Sequence, residues 1–371
     1  MSAASLGGLL DGKNLVVLVG DGGVGKTSTS AAIACGRAEA GERVAVLTVD
    51  PAPRLGDALG VPAIDSQPRT VRLPGSTHGR LVAMRLDSKR TFDRMVEAYS
   101  ASPQAAARLL EHPIYRALSG SLGGTENYMA FQRLHELVEQ GGHDCLVVDT
   151  PPAANATDLL AAPERLTGLV ETGALQVLAE PARIVARAGG FLARATMELI
   201  LAALERVTGQ SLQARVSEFT GLFSGLVAGL EDRARHIDAL LRAPGTAFVL
   251  VTRPREGDVA SALAFREGLA RLGIRVDAVV VNRVTPPRPA DEGDADTRLA
   301  ALPGALRDAV LRMEADVDAL RAAERSALAA LERGLAGPDA PPVFVVAARD
   351  ADIASVADIV TLAGELGYRE A

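Results

Sequence analysis

Short, unbroken apolar runs separated by longer stretches of helical spacing set the pattern of this chain. Leu15–Val19 (LVVLV), Val44–Asp50 (VAVLTVD), Leu81–Asp87 (LVAMRLD), Cys145–Thr150 (CLVVDT), Thr246–Thr252 (TAFVLVT), Val276–Asn282 (VDAVVVN) and Pro342–Ala348 (PVFVVAA) read as strands. Their apolar residues do not alternate with polar ones, which is the form of strands covered on both faces. Helical patterns lie between them, so the chain is expected to be α/β, a mostly parallel sheet with helices on both faces. The first helix follows the first strand and ends at Gly41, and the stretch before Leu81 has room for a hairpin.

Two segments are too long for ordinary crossovers. Residues 88–140 and 158–241 are expected to be helical insertions that form a subdomain on a single domain spanning 1–371. The second carries an imperfect helical stripe through Leu192, Leu199, Leu204 and Val207. Residues 286–302 are polar and proline-rich, an expected exposed loop, and Val310–Gly334 reads as one long helix or two.

The stretch GDGGVGKTST, Gly20–Thr29, carries the chemistry. G-x-x-x-x-G-K-T is complete in Gly20, Gly25, Lys26 and Thr27, with a strand before it and a helix after it. Glycines let successive N–H groups point inward as an anion nest, aided by the helix N-terminus. The nucleotide-binding set is therefore Gly20, Asp21, Gly22, Gly23, Val24, Gly25, Lys26, Thr27 and Ser28. Lys26 is expected to reach the β- and γ-phosphates and the Thr27 hydroxyl to bind Mg²⁺. The competing dinucleotide fingerprint lacks its G-x-G-x-x-G spacing.

Ligands of parallel sheets bind beyond the carboxyl ends of strands. Asp149 closes CLVVD and is placed to face Mg²⁺, although a helix cap would use the same position. Asp50 closes the second strand and is the candidate for orienting the attacking water. A metal-linked carboxylate or a turn former before Pro51 is the other use of that position. The catalytic candidates are thus Asp50 and Lys26, and the metal candidates Thr27, Asp50 and Asp149. Asp57 could meet a metal-bound water, with a solvated turn the plainer reading. Asn282 could read a base edge, and Arg283-Val284-Thr285 after it lacks the guanine-specific Asn-Lys-x-Asp, so adenine is expected. The loop Arg349–Ile353, including Arg349 and Asp350, could wall the base or merely join two elements.

Composition narrows the partners. Aromatics make up 3% of the chain with no Trp, which argues against a base-stacking platform. The net charge is -7 and no Lys/Arg run with interleaved aromatics is present, so nucleic acid is not expected. Cys35 and Cys145 are the only cysteines, which excludes a disulfide framework. The N-terminus lacks the form of a signal peptide and no 18-residue apolar run appears, so a cytoplasmic protein without a membrane span is expected.

Several motifs in order resemble the family of the arsenite-pump ATPase and the tail-anchored-protein targeting ATPase. They are GDGGVGKTS, TVDPAPRLGDALG, GTENYMAFQRLHELVEQGGHDCLVVDTPP with DLLAAPERL behind it, VTRP and VVVNRV. The resemblance covers most of the chain. It implies an ATP- and Mg²⁺-dependent homodimer whose subunits meet across the nucleotides, with Asp50 in switch I and Asp149 in switch II. It also implies that Asn282 reads adenine, that 349–353 closes over the base, and that 158–241 holds a protein client, such as a hydrophobic segment. The chain departs from the family pattern in four ways. The family's signature lysine is Asp21 here, which must point away, pair with an arginine such as Arg54, or help bind a cation. Switch I reads Asp-Pro-Ala-Pro-Arg instead of Asp-Pro-Ala-His-Ser/Asn. The dimer-bridging CxxC and the arsenite cysteines are absent, and there is one P-loop instead of two. The expected function is Mg-dependent ATP hydrolysis that switches a helical client-binding surface. The alternatives are a nucleotide-gated binding or assembly protein with little or no turnover, and a partitioning or maturation ATPase working on DNA, membrane or a metal cofactor.

Overall fold

The computed structural model describes residues 5–50, 52–61, 64–74, 79–120, 126–151, 235–287 and 299–368, with short stretches at 218–219, 221–223 and 232–233. Its elements in chain order are α1 (Leu6–Leu10), β1 (Leu15–Val19), α2 (Lys26–Glu39), β2 (Arg43–Thr48), α3 (Arg54–Ala58), β3 (Arg69–Val71), β4 (Arg80–Arg85), α4 (Ser88–Tyr99), α5 (Pro103–Glu111), α6 (Pro113–Gly120), α7 (Glu126–Gln140), β5 (Cys145–Asp149), β6 (Thr246–Thr252), α8 (Glu256–Arg271), β7 (Ala278–Val284), α9 (Gly304–Leu335), β8 (Val343–Ala347) and α10 (Val356–Glu365). The chain divides into two compact units, one of Met1–Arg85, Gly142–Thr157 and Arg242–Ala371, the other of Leu86–Gly141 and Asp158–Leu241.

The first unit is built on one eight-stranded sheet in the order β3-β4-β2-β5-β1-β6-β7-β8. Every pairing is parallel except β3 with β4, where the stretch before Leu81 turns back on the edge. β1 lies between β5 and β6, and all five of its residues are buried. Alternate positions explain why the run is continuously apolar. Val16 and Leu18 join the core under α1, α2 and α10, and the residues between them face the other side. α8 and α9 pack against each other, with α8 against β6. The fold is that of an α/β P-loop NTPase, a mixed sheet flanked by helices with a helical insertion.

Boundaries moved where tertiary pairing outweighed the local pattern. β2 ends at Thr48, so Asp50 stands two residues beyond the strand. β7 runs past Asn282 to Val284 through a register shift at Val281/Val284, where Arg283 adopts φ 62°. A left-handed arginine interrupts the apolar signal there without ending the ladder. α9 is a single helix of 32 residues. The stripe at Leu192, Leu199, Leu204 and Val207 and most of the loop at 286–302 lie outside the described residues.

In the second unit, α4 opens on Asp87, whose carboxylate caps Arg90 N, and α5 opens on Ser102 with Pro103 at its first position. Phe92 stacks on Tyr115 at 5.4 Å, and the Tyr115 hydroxyl donates to Asp93 at 2.7 Å.

Candidate nucleotide site

The site begins where β1 runs out of apolar residues. Gly20 has φ 142°, and a Cβ there would overlap the Val251 carbonyl oxygen of neighbouring β6. Only glycine lets the chain leave the sheet at that point. Gly25 has φ 105° and stands immediately before α2, with no side chain capping the helix. The first-turn N–H groups of a 14-residue helix therefore face the cavity above the sheet.

Lys26 is buried, and its ammonium donates to the carbonyls of Gly20 at 2.9 Å and Asp21 at 2.8 Å. Burial lowers its pKa, against the opposing charges of Asp149, Asp21 and Asp50. Thr27 and Thr48 both donate their hydroxyls to Asp149 Oδ2, at 2.8 and 3.0 Å. Thr48 and Asp149 are register partners on β2 and β5, so the sheet itself sets this contact. Asp149 is 1% exposed, and its Oδ1 is buried without a hydrogen-bond partner among the described residues. Desolvation pushes its carboxyl up to about 6, with the two threonine hydrogen bonds pulling the other way.

The donor set suits a hard cation. A buried carboxylate oxygen without a partner stands beside a hydroxyl whose proton is committed elsewhere and whose lone pairs are not. All the donors are oxygens, the set that Mg²⁺ takes together with phosphate and water. Thr27 and Asp149 fit the ion.

Asp50 follows β2 in a tight turn. Its N–H donates to Thr48 Oγ1 at 3.2 Å, and its Oδ1 accepts from Ala52 N at 2.9 Å. Asp50 Oδ2 lies 3.7 Å from Arg54 Nη1. On the other side, Thr150 donates to the Leu18 carbonyl at 2.6 Å and fixes the departure from β5 to β1.

These elements enclose an open cavity of about 780 Å³. Gly23, Gly25, Lys26, Thr27, Ser28, Asp50 and Asp149 line it from the β2, β5 and β1 side. Asn282 and Arg349 line it from β7 and the end of β8. Gly20, Asp21, Gly22, Val24 and Asp350 do not line the cavity. Arg54 reaches Asp50 and forms no ion pair with Asp21. Asn282 donates its amide to the Val24 carbonyl at 2.9 Å, so it braces the loop. Arg349 pairs with Glu365 at 2.9 Å.

Sequence reasoning missed Thr48 and Arg283, offered Arg54 only as a partner for Asp21 and favoured a solvated turn for Asp57, whereas Arg54, Asp57 and Arg283 line the cavity together with Thr150 and Asp352. Thr48 meets Asp149 only through the pairing of β2 with β5. The others depend on register and loop path.

Gly25→Ala tests the cradle. The new Cβ would collide with the Asn282 amide at a φ that L-residues avoid. Nucleotide affinity, read by calorimetry, is expected to fall by about 10-fold or more, with stability lowered by about 1 kcal/mol.

A glycine loop, a helix terminus and carboxylates at the end of β5 and just beyond β2, at the centre of a mostly parallel sheet, define a P-loop nucleotide-binding protein. Residues 13–300 match the family described as anion-transporting ATPases, and the chain belongs to that family. It is 31% identical to an uncharacterized protein of Streptomyces coelicolor over 275 residues, 73% of this chain and 62% of the relative. It is 26% identical to the ATPase ARSA2 of Chlamydomonas reinhardtii over 291 residues, 76% of this chain and 72% of the relative. It is 30% identical to the ATPase GET3 of Malassezia globosa over 164 residues, 44% of this chain and 46% of the relative. The chain thus spans less than two thirds of the Streptomyces protein.

Proposed function

We propose that this protein binds Mg·ATP at the loop and hydrolyses it to ADP and phosphate, using the change to switch a helical partner-binding surface. The carrying observation is the Thr27–Asp149–Thr48 cluster beside Lys26, with a buried carboxylate oxygen that has no partner among the described residues. Lys26 releases its loop carbonyls to meet the β- and γ-phosphates. Thr27 and Asp149 would hold Mg²⁺, which would supply positive charge beside the phosphate oxygens when bound. Asp50, two residues beyond β2, aligns the attacking water and takes up its proton. Backbone N–H groups of the loop and α2 stabilise charge as it develops. Asn282 and the 349–353 loop, at the β7–β8 end, place the adenine.

Family membership supports a nucleotide-driven switch that works as a dimer with a client. In this reading the subunits meet across the nucleotides, the segments after Asp50 and Asp149 carry phosphate loss to the inserted helices, and a hydrophobic segment is the client class. No helix among the described residues is long and apolar enough to cross a membrane, and the protein is proposed to work in the cytoplasm. The ATPase names of the relatives favour hydrolysis over mere gating. Asp21 favours the second reading, a nucleotide-gated assembly protein with little turnover, because a carboxylate on the loop repels phosphate.

Light scattering on the purified chain tests the assembly. A shift from monomer to dimer is expected with a non-hydrolysable ATP analogue and Mg²⁺, and its reversal with ADP. A monomer under both conditions would contradict the dimer.

A further inference from the structure

Four cations line the cavity, Lys26, Arg54, Arg283 and Arg349, together with as many carboxylates. Their places in the sheet order divide them. Arg283 belongs to β7 and Arg349 follows β8, the outer strands beyond β6. Lys26 and Arg54 lie by β1 and β2, with Asp50 and Asp149, where the triphosphate end of a nucleotide would sit. Three carboxylates act on Lys26 there, those of Asp149, Asp21 and Asp50. A single lysine, already donating to two carbonyls, is a small counterweight to that charge plus a triphosphate.

Arg54 is the cation still available. Its side chain is 65% exposed, and its nearest carboxylate, Asp50, stands 3.7 Å away, beyond hydrogen-bond reach. Among the described residues its guanidinium makes no hydrogen bond, and such an exposed pair contributes little to stability. The backbone beneath it is firmly held. Leu55 is 1% exposed, and a Cβ at Gly56 would stand 2.7 Å from the Val61 carbonyl oxygen. A fixed stem with an uncommitted planar fork suits a phosphate, which takes two parallel N–H donors.

We propose that Arg54, from the same chain as the loop, binds the terminal phosphate and neutralises the charge that develops on it during cleavage. Arg54 thereby offsets the carboxylate that Asp21 places on the loop. This inference rests on the nucleotide reading above.

The test compares the parent with Arg54→Ala and Arg54→Lys for binding of Mg·ADP alone and of Mg·ADP with aluminium fluoride, a mimic of the phosphoryl group in transfer. The parent is expected to hold the fluoroaluminate complex far more tightly than ADP. In Arg54→Ala that preference should fall about 10²-fold or more with ADP affinity unchanged within about twofold, and turnover should fall by about 10³-fold. Arg54→Lys should recover part of both and serves as the readout should the alanine variant fail to fold. Equal fluoroaluminate preference in parent and Arg54→Ala would overturn the role of Arg54 and leave the nucleotide reading standing. Equal loss of ADP and fluoroaluminate binding would also overturn it, marking Arg54 as a general support of the loop. A parent that binds neither nucleotide would remove the underlying reading itself.

Discussion

Asp149→Asn is expected to make the nucleotide-free protein more stable while it loses Mg-dependent nucleotide binding. The side chain is buried, Oδ1 has no partner among the described residues, and its carboxyl is pushed up to about 6. The sign follows from proton uptake. Between about pH 4 and 6 the folded protein holds a proton that the unfolded chain has released, so stability falls as pH rises through that window. Above it the ionised carboxylate costs about 3 kcal/mol. Asparagine removes the charge and keeps an oxygen for Thr27 and Thr48, but its amide is left with no partner, a penalty of about 1–3 kcal/mol. The net expectation is a gain of about 1 kcal/mol near pH 8, shrinking or reversing near pH 4.5. Adding Mg·ATP should reverse the order, because a ligand raises the stability only of the protein that binds it. Urea midpoints at the two pH values, with and without Mg·ATP, check both halves. A variant as strongly stabilised by Mg·ATP as the parent would remove Asp149 from the metal site.

The second large effect is expected at Asp50. Asparagine retains the oxygen that accepts from Ala52 N, so the turn after β2 survives and only the charge is lost. Phosphate release should fall by about 10²–10⁴-fold, the range for loss of a positioned base. ATP affinity should stay within about threefold of the parent, since no phosphate contact is removed. Calorimetric binding beside single-turnover release separates the two terms. A parallel fall in both would reassign Asp50 to binding.

The loop and the aspartates at or just beyond two strand ends were legible in the sequence because their chemistry is local. Glycines at forced backbone angles, a lysine-threonine pair at a helix start and carboxylates after apolar runs each need only a few neighbouring residues. Thr48 was not legible, because its bond to Asp149 exists only once β2 and β5 pair in register. Asn282 was read as ending a strand because Arg283 breaks the apolar run, whereas the ladder continues through the shifted register to Val284. Its amide consequently meets the Val24 carbonyl, 258 positions away along the chain. The sequence allows Arg54 to pair with Asp21, but its four-residue spacing from Asp50 brings it to that carboxylate instead. Asp350 and Asp352 lie on the same short loop, and only the path of that loop decides that Asp352 lines the cavity.

This site is proposed to cleave the nucleotide it holds. Single-turnover phosphate release from ATP by the parent protein, in Mg²⁺ and in chelator at matched saturation, tests it most directly. Release is expected to require Mg²⁺ and to go to completion. Saturating ATP binding with no phosphate released in Mg²⁺ would contradict it and leave a nucleotide-gated binding protein in its place.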